Sequence, residues 1–168
     1  LKRPPHLFDT WRHFYEFTIS LVFKLKVADG WRPQFEYHPD FPATDFHSVI
    51  QSEESALLGT FHLGHSDLMG CMVSSFERTI AIVRLKVNNS KDTDFLEQQF
   101  ANYVRFIWIN QPEEFLLSLK SAVQSGYHIG IQCDRPGFSH RNRSFEFLGK
   151  KRPFPMTIYH LAYLFNIP

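Results

Sequence analysis

Four short apolar runs, each followed by a stretch of helical or polar character, constrain this chain more than any other feature. They are Ser55–Phe61 (SALLGTF), Thr79–Leu85 (TIAIVRL), Val104–Ile109 (VRFIWI) and Tyr127–Cys133 (YHIGIQC). A run this short and this apolar is what a strand buried on both faces requires. The segments between them carry helical spacing. Residues 66 to 78 place Leu68, Met69, Met72, Val73 and Phe76 inward, and Asp92 to Asn102 looks helical. Gln111 to Gln124 reads as a helix with Pro112 in its first turn and Gly126 just past its end. Ser144–Leu148 reads as a short fifth strand, and Pro155–Phe165 as a closing helix. The alternation predicts an α/β fold, a mainly parallel (mixed) central sheet flanked by helices. Ligands bind such sheets at the carboxyl ends of the strands. That rule nominates the segments after Phe61, Leu85, Ile109 and Cys133.

The chain before the first strand is different. Residues 11 to 27 predict a helix, with Phe14, Phe17, Leu21 and Leu25 at helical spacing and Gly30 and Pro33 ending it. Its apolar positions also include Ile19, Val22 and Phe23, more than one narrow stripe. Two roles fit that excess, contact with a membrane face and burial within the fold. Residues 31 to 53 are rich in Pro, Asp and aromatics and read as a connecting segment, with a short helix from Thr44. The expected organisation is one domain over residues 1–168: a helix and connector over 1–53, then an α/β core over 54–168. Leu1 at the start, and Pro168 at the entry to what would be another strand, predict that the sequence is a fragment of a longer protein.

Composition narrows the classes. With 43% hydrophobic and 21% charged residues the chain is ordinary for a folded protein. Its formal net charge of +1 is low for a general nucleic-acid binder. No apolar run approaches the roughly 20 residues of a membrane helix. Cys71 and Cys133 stand far apart in apolar surroundings and predict buried thiols rather than a zinc or disulfide framework. The 18 Phe suit a large core or an acyl-chain site.

Two clusters carry chemistry. The first is Thr60-Phe-His-Leu-Gly-His-Ser-Asp67, at the end of the first strand run. His62 and Asp67 form H-x4-D across a turn containing Gly64. A carboxylate there can fix one imidazole nitrogen and leave the other as a general base. The plainer alternative is a helix-capping Asp67 beside a packed His62. His62, His65 and Asp67, with His128, Asp134 and His140 as further donors, admit a metal reading, but the spacing matches no metallohydrolase pattern. G-x-S-x-G, the P-loop and G-x-G-x-x-G are absent. The second cluster begins at Cys133-Asp-Arg-Pro-Gly137. Residues 134 to 152 hold six Lys/Arg against two Asp/Glu, a local excess of +4. Read as a loop at the site end of the sheet, it suits a phosphate, a coenzyme A nucleotide or an acidic carrier protein. A solvated loop without a partner is the competing reading.

These clusters, in this order, resemble the lysophospholipid acyltransferase superfamily, and within it the bacterial lipid A acyltransferase-like branch. Trp11 to Leu25 is similar to the helix before that branch's catalytic domain. His62-Leu-Gly-His-Ser-Asp67 resembles its H-x4-D/E block. Asp134-Arg-Pro, Phe145-Glu-Phe-Leu-Gly149 and Pro153-Phe-Pro155 resemble its Asp-Arg loop and the strand and F-L-G…F-P elements that follow. His65 stands where the branch commonly has Asn, and Asp67 where it has Glu. The resemblance implies a glycerol-3-phosphate acyltransferase-like fold that continues beyond Pro168. It implies transfer of a fatty acyl group from acyl-CoA or acyl carrier protein to a hydroxyl of a lipid-type acceptor, with no cofactor or metal. His62 and Asp67 would be catalytic. Gly64, His65, Asp134, Arg135 and Arg143 would bind substrate. It further implies a peripheral place on the cytoplasmic side of the inner membrane. A non-catalytic lipid- or carrier-binding module of the same fold, and a metal-dependent hydrolase, are the competing functions.

Overall fold

The computed structural model describes residues 6–34, 36, 48–65, 78–85, 98, 100–136, 139 and 141–168. Among them the elements run α1 (Leu7–Ala28), β1 (Leu57–Thr60), β2 (Ile80–Arg84), β3 (Val104–Trp108), α2 (Pro112–Gln124), β4 (His128–Gln132), β5 (Asn142–Phe147), β6 (Lys150–Pro155) and α3 (Thr157–Phe165). The expected helices over 66–78 and 92–102, and the start of the helix from Thr44, fall largely outside the described residues. A helical turn is present at 48–51.

β1 to β4 form one parallel sheet in the order β1-β4-β2-β3. The last strand in sequence is thus inserted between the first two. Side chains alternate across the sheet, and both faces are covered. Ala81, Val83, Ile107, Ile129 and Ile131 pack against Leu119 and Ala122 of α2 and Leu161 of α3. On the other face Val104 meets Phe100 and Val27 of α1, while Ile80 meets Ile50. This double burial explains why the runs of β2 and β4 are mostly apolar; β1 is only partly buried, and β3 carries the exposed Arg105. Gly59 in β1 admits α3, since a Cβ there would lie 2.8 Å from the Ile158 side chain and 3.2 Å from the Cys133 sulfur.

α2 begins at Pro112 with Glu113 and Glu114 in its first turn, favourable against the helix dipole. It ends before Gly126, whose φ of +74° a side chain would resist. α1 starts at Leu7, four residues before the start read from its periodicity. The cause is a capping box: the Phe8 N–H donates to the His6 ring, and the His6 N–H donates to Asp9 at 2.8 Å. Histidine is not a usual cap, so the signal was hidden.

From residue 142 onward the basic segment is not a loop. Residues 142–147 and 150–155 pair antiparallel as a separate two-stranded ribbon, with Leu148 and Gly149 as its turn. Both turn residues have positive φ, +53° and +72°, the signature of a two-residue type I′ connection. The expected fifth strand is therefore half of a hairpin. The segment Gly149–Pro153 was hidden as a strand by its lysines, its arginine and Pro153, which are tolerated on an exposed ribbon.

Candidate functional site at the carboxyl edge of the sheet

β1 and β4 are neighbours, with Thr60 opposite Gln132 in register. Two residues further along each strand are His62 and Asp134. The register therefore brings them together beyond the last ladder pairs. The Cys133 N–H donates to the Thr60 carbonyl at 2.8 Å and continues the ladder by one bond. The next acceptor is the Asp134 side chain. The His62 backbone N–H donates to its Oδ2 at 3.0 Å, and His62 Nδ1 lies 2.8 Å from its Oδ1. One carboxylate thus holds both the backbone and the ring of His62.

Since a carboxylate only accepts, Nδ1 carries the proton and donates. In the neutral ring Nε2 then bears the lone pair. The two side chains are 27% and 24% exposed, enough shelter to strengthen the contact and enough access for a substrate. Burial disfavours the Asp134 carboxylate, but the His62 ring, its backbone N–H and its charge together hold the carboxyl below the ordinary range.

His62 and Arg135 line a cleft of about 190 Å³ with Val83, Arg84, Leu85, Ile109, Ile131 and Gln132. These residues come from the ends of all four parallel strands or from just beyond them, as the carboxyl-edge rule requires. Arg84, over the Phe106 ring at 5.5 Å, was not singled out from the sequence. Its signal was available: it is the one charged residue in an apolar strand, at that strand's carboxyl end. Arg84 and Arg135 make the cleft suited to an anionic group. No protein-family model and no curated protein matches the chain.

The other candidates divide. Asp67 and Cys71 lie outside the described residues. Gly64, with φ of +60°, and His65 are exposed and do not line the cleft; His65 Nδ1 is instead 3.1 Å from Ser20 Oγ on α1. Arg143 sits on β5, 5.7 Å over the Phe145 ring, and does not line the cleft either. His128 cannot join a metal set with Asp134. It stands at the opposite end of β4, fully buried, with one ring nitrogen on the Ala56 N–H and the other on the Ile50 carbonyl. Among the described residues no three His, Cys, Asp or Glu side chains form a group able to hold a metal ion.

A second, more apolar hollow of about 420 Å³ lies beside β1, lined by Gly59, Phe61, Cys133, Phe154, Met156 and Ile158 among others. Phe154 is its centre, with the rings of Phe61, Phe145 and Phe147 packed around it at 5.7–6.2 Å. Cys133 is half-buried there, and burial first, then the Asp134 charge, push its thiol up. A thiol so placed is a poor nucleophile at neutral pH. The sheltered imidazole is the group equipped to move a proton.

Proposed function

We propose that this chain is an acyltransferase of the lysophospholipid acyltransferase superfamily, in the bacterial lipid A acyltransferase-like branch, with a glycerol-3-phosphate acyltransferase-like fold. It moves a fatty acyl group from acyl-CoA or acyl carrier protein to a hydroxyl of a lipid-type acceptor. The observation that carries this reading is the His62 ring, held through Nδ1 by Asp134 at the carboxyl edge of a parallel sheet and opening on a cleft that holds two arginines.

His62 Nε2 takes the acceptor hydroxyl's proton as the oxygen attacks the thioester carbonyl. Asp134 keeps the ring in the right tautomer and stabilises the imidazolium. The tetrahedral oxyanion collapses, the C–S bond breaks, and the leaving thiolate recovers the proton from His62. No acyl-enzyme forms, in keeping with the raised Cys133 thiol. Arg84 and Arg135 hold the anionic part of a substrate, and a guanidinium near the reacting carbonyl stabilises the oxyanion. The apolar hollow beside β1 supports a substrate with an alkyl chain.

The test is thioester turnover. The purified chain is given acyl-CoA or acyl carrier protein with a lipid bearing a free hydroxyl, and thiol release and acylated product are measured together. His62→Ala abolishes both while circular dichroism stays that of the wild type. Full activity in His62→Ala removes it as the base. Tight binding of acyl carrier or lipid without turnover supports the non-catalytic module instead.

A further inference from the structure

The loop that carries His62 is pinned on both sides of it. Before it, the Phe61 ring packs edge-on against Phe154 of β6 at 6.2 Å. The Leu63 N–H then donates to the Phe61 carbonyl at 2.8 Å, which makes His62 the middle residue of a three-residue turn. After it the chain has little to hold it. Leu63 is 84% exposed, and Gly64, the residue type with the most backbone freedom, has open space where a Cβ would stand. The next fixed point is His65. Its Nδ1 shares a hydrogen bond of 3.1 Å with the Ser20 hydroxyl of α1, and the Phe23 ring of α1 meets its ring edge-on with centroids 5.0 Å apart. α1 is in turn a firm anchor. Ser20, Phe23 and Val27 share one side of the helix, spaced by three and four. Phe23 stacks on Trp31 at 5.7 Å, and Val27 is buried in the core beside Phe100 and Val104. A path of contacts therefore runs from the core through α1 to the residue three places after His62.

We propose that His65 is a positioning residue: tied to α1 through Ser20 and Phe23, it holds the loop so that the His62 ring stays seated on Asp134 and faces the cleft. Its effect on turnover rests on the acyl-transfer reading. The resemblance of the sequence casts His65 as a substrate contact, and the geometry gives it a different task. His65 does not line the cleft, and its hydrogen bond is made to the protein. Asp134 holds the backbone N–H of His62 and one edge of its ring, through Nδ1. That contact sets the tautomer. A ring held at one edge still tilts about it, and tilting swings Nε2 at the far edge. Where the chain leaves His62 limits that tilt, and His65 fixes where the chain goes. A reacting group displaced by about 1 Å loses up to about 10²-fold in rate. Arg84 and Arg135, at the ends of β2 and β4, belong to other segments, so anion binding does not depend on this tie. The loss therefore falls on kcat and not on KM.

The split between kcat and KM in the thioester assay tests this. His65→Ala lowers kcat about 10–100-fold, with KM changed less than about twofold and circular dichroism unchanged. Asn carries a polar atom as far from Cα as imidazole Nδ1 and can meet Ser20, so His65→Asn restores most of the loss. Ser20→Ala lowers kcat as well, and adding it to His65→Ala lowers kcat no further, because the two share one bond. A second readout needs no turnover. Burial works against the Asp134 carboxylate, yet its contacts with His62 hold the carboxyl below the ordinary range. In a carboxyl-carbon NMR titration, His65→Ala moves Asp134 back toward that range and His65→Asn reverses the move. A rise in KM with kcat intact overturns the proposal in favour of a substrate contact. Unchanged kinetics overturn it, as do additive losses in the double variant or an Asp134 titration that His65→Ala leaves in place. If the wild type releases no thiol, the acyl-transfer reading fails, and the Asp134 titration alone decides whether His65 positions His62.

Discussion

Replacing His128 tests how the sheet's amino-terminal end is held. The ring is fully buried and ties three segments together. The Ala56 N–H donates to Nδ1 at 3.2 Å, so Nδ1 carries no hydrogen, and Nε2–H donates to the Ile50 carbonyl at 3.0 Å. Leucine has a similar size but satisfies neither group. Each orphaned buried partner costs about 1–3 kcal/mol. His128→Leu therefore loses about 2–6 kcal/mol, a large share of the 5–15 kcal/mol typical of a whole domain. His128→Asn can still reach the Ala56 N–H, and His128→Gln the Ile50 carbonyl, so each loses less. Burial foremost, and the nearby Arg78 charge, hold the His128 pKa below its ordinary value, against the bond to Ile50. Protonation would also set a second donor against the Ala56 N–H. The unfolded chain binds this proton more readily, so the contribution is full above the unfolded pKa of about 6.5 and falls as pH drops through the lower folded value. Urea unfolding of wild type and His128→Gln between about pH 5 and 8 reads both effects. The difference between the two proteins narrows toward acid. Equal stability at neutral pH, or a difference that does not change with pH, refutes the reasoning.

Further outcomes are expected. Asp134→Asn lowers kcat by about 10²–10⁴-fold in the turnover assay, because the ring loses its acceptor. The same variant is less stable than wild type above about pH 4, and the gap closes below that as the wild-type carboxyl, held low in the folded state, takes up its proton. Arg84→Ala and Arg135→Ala each raise KM for an anionic substrate about tenfold or more, an effect that weakens with salt. Leu148→Asn raises the urea midpoint, since it relieves about 1 kcal/mol of left-handed strain at an exposed turn position with φ of +53°; Gly59→Val lowers the midpoint through a stability loss of about 1–3 kcal/mol, by crowding Ile158 and Cys133.

The strands were legible in the sequence because of where they lie. β2 and β4, at the centre of the sheet, are covered on both faces, and near-continuous apolar runs follow from that; β1 and β3 at the edges are less buried. β6 was not legible, because an exposed ribbon has no core to impose a pattern, and its lysines fit a loop as well as a strand. α1 was legible as a helix but not in its orientation. Spacing tells which residues share a face, and says nothing of whether that face meets protein.

The site shows the same limit more sharply. His62 was nominated by its place after a strand and Asp134 by its place after another, each from local pattern. Their partnership was invisible, because it depends on β4 lying next to β1 rather than next to β3, and 72 residues separate the two. Sequence reasoning therefore gave the orienting role to Asp67, the nearest carboxylate along the chain, and assigned Asp134 to substrate. Strand order makes Asp134 a partner of the ring, while Asp67 lies outside the described residues. A parallel sheet brings all its carboxyl ends to one edge, so polar residues just past different strands converge whatever their separation in sequence. Arg84, Arg135 and His62 meet at one cleft for that reason, whereas Arg143, carried off on the ribbon, does not.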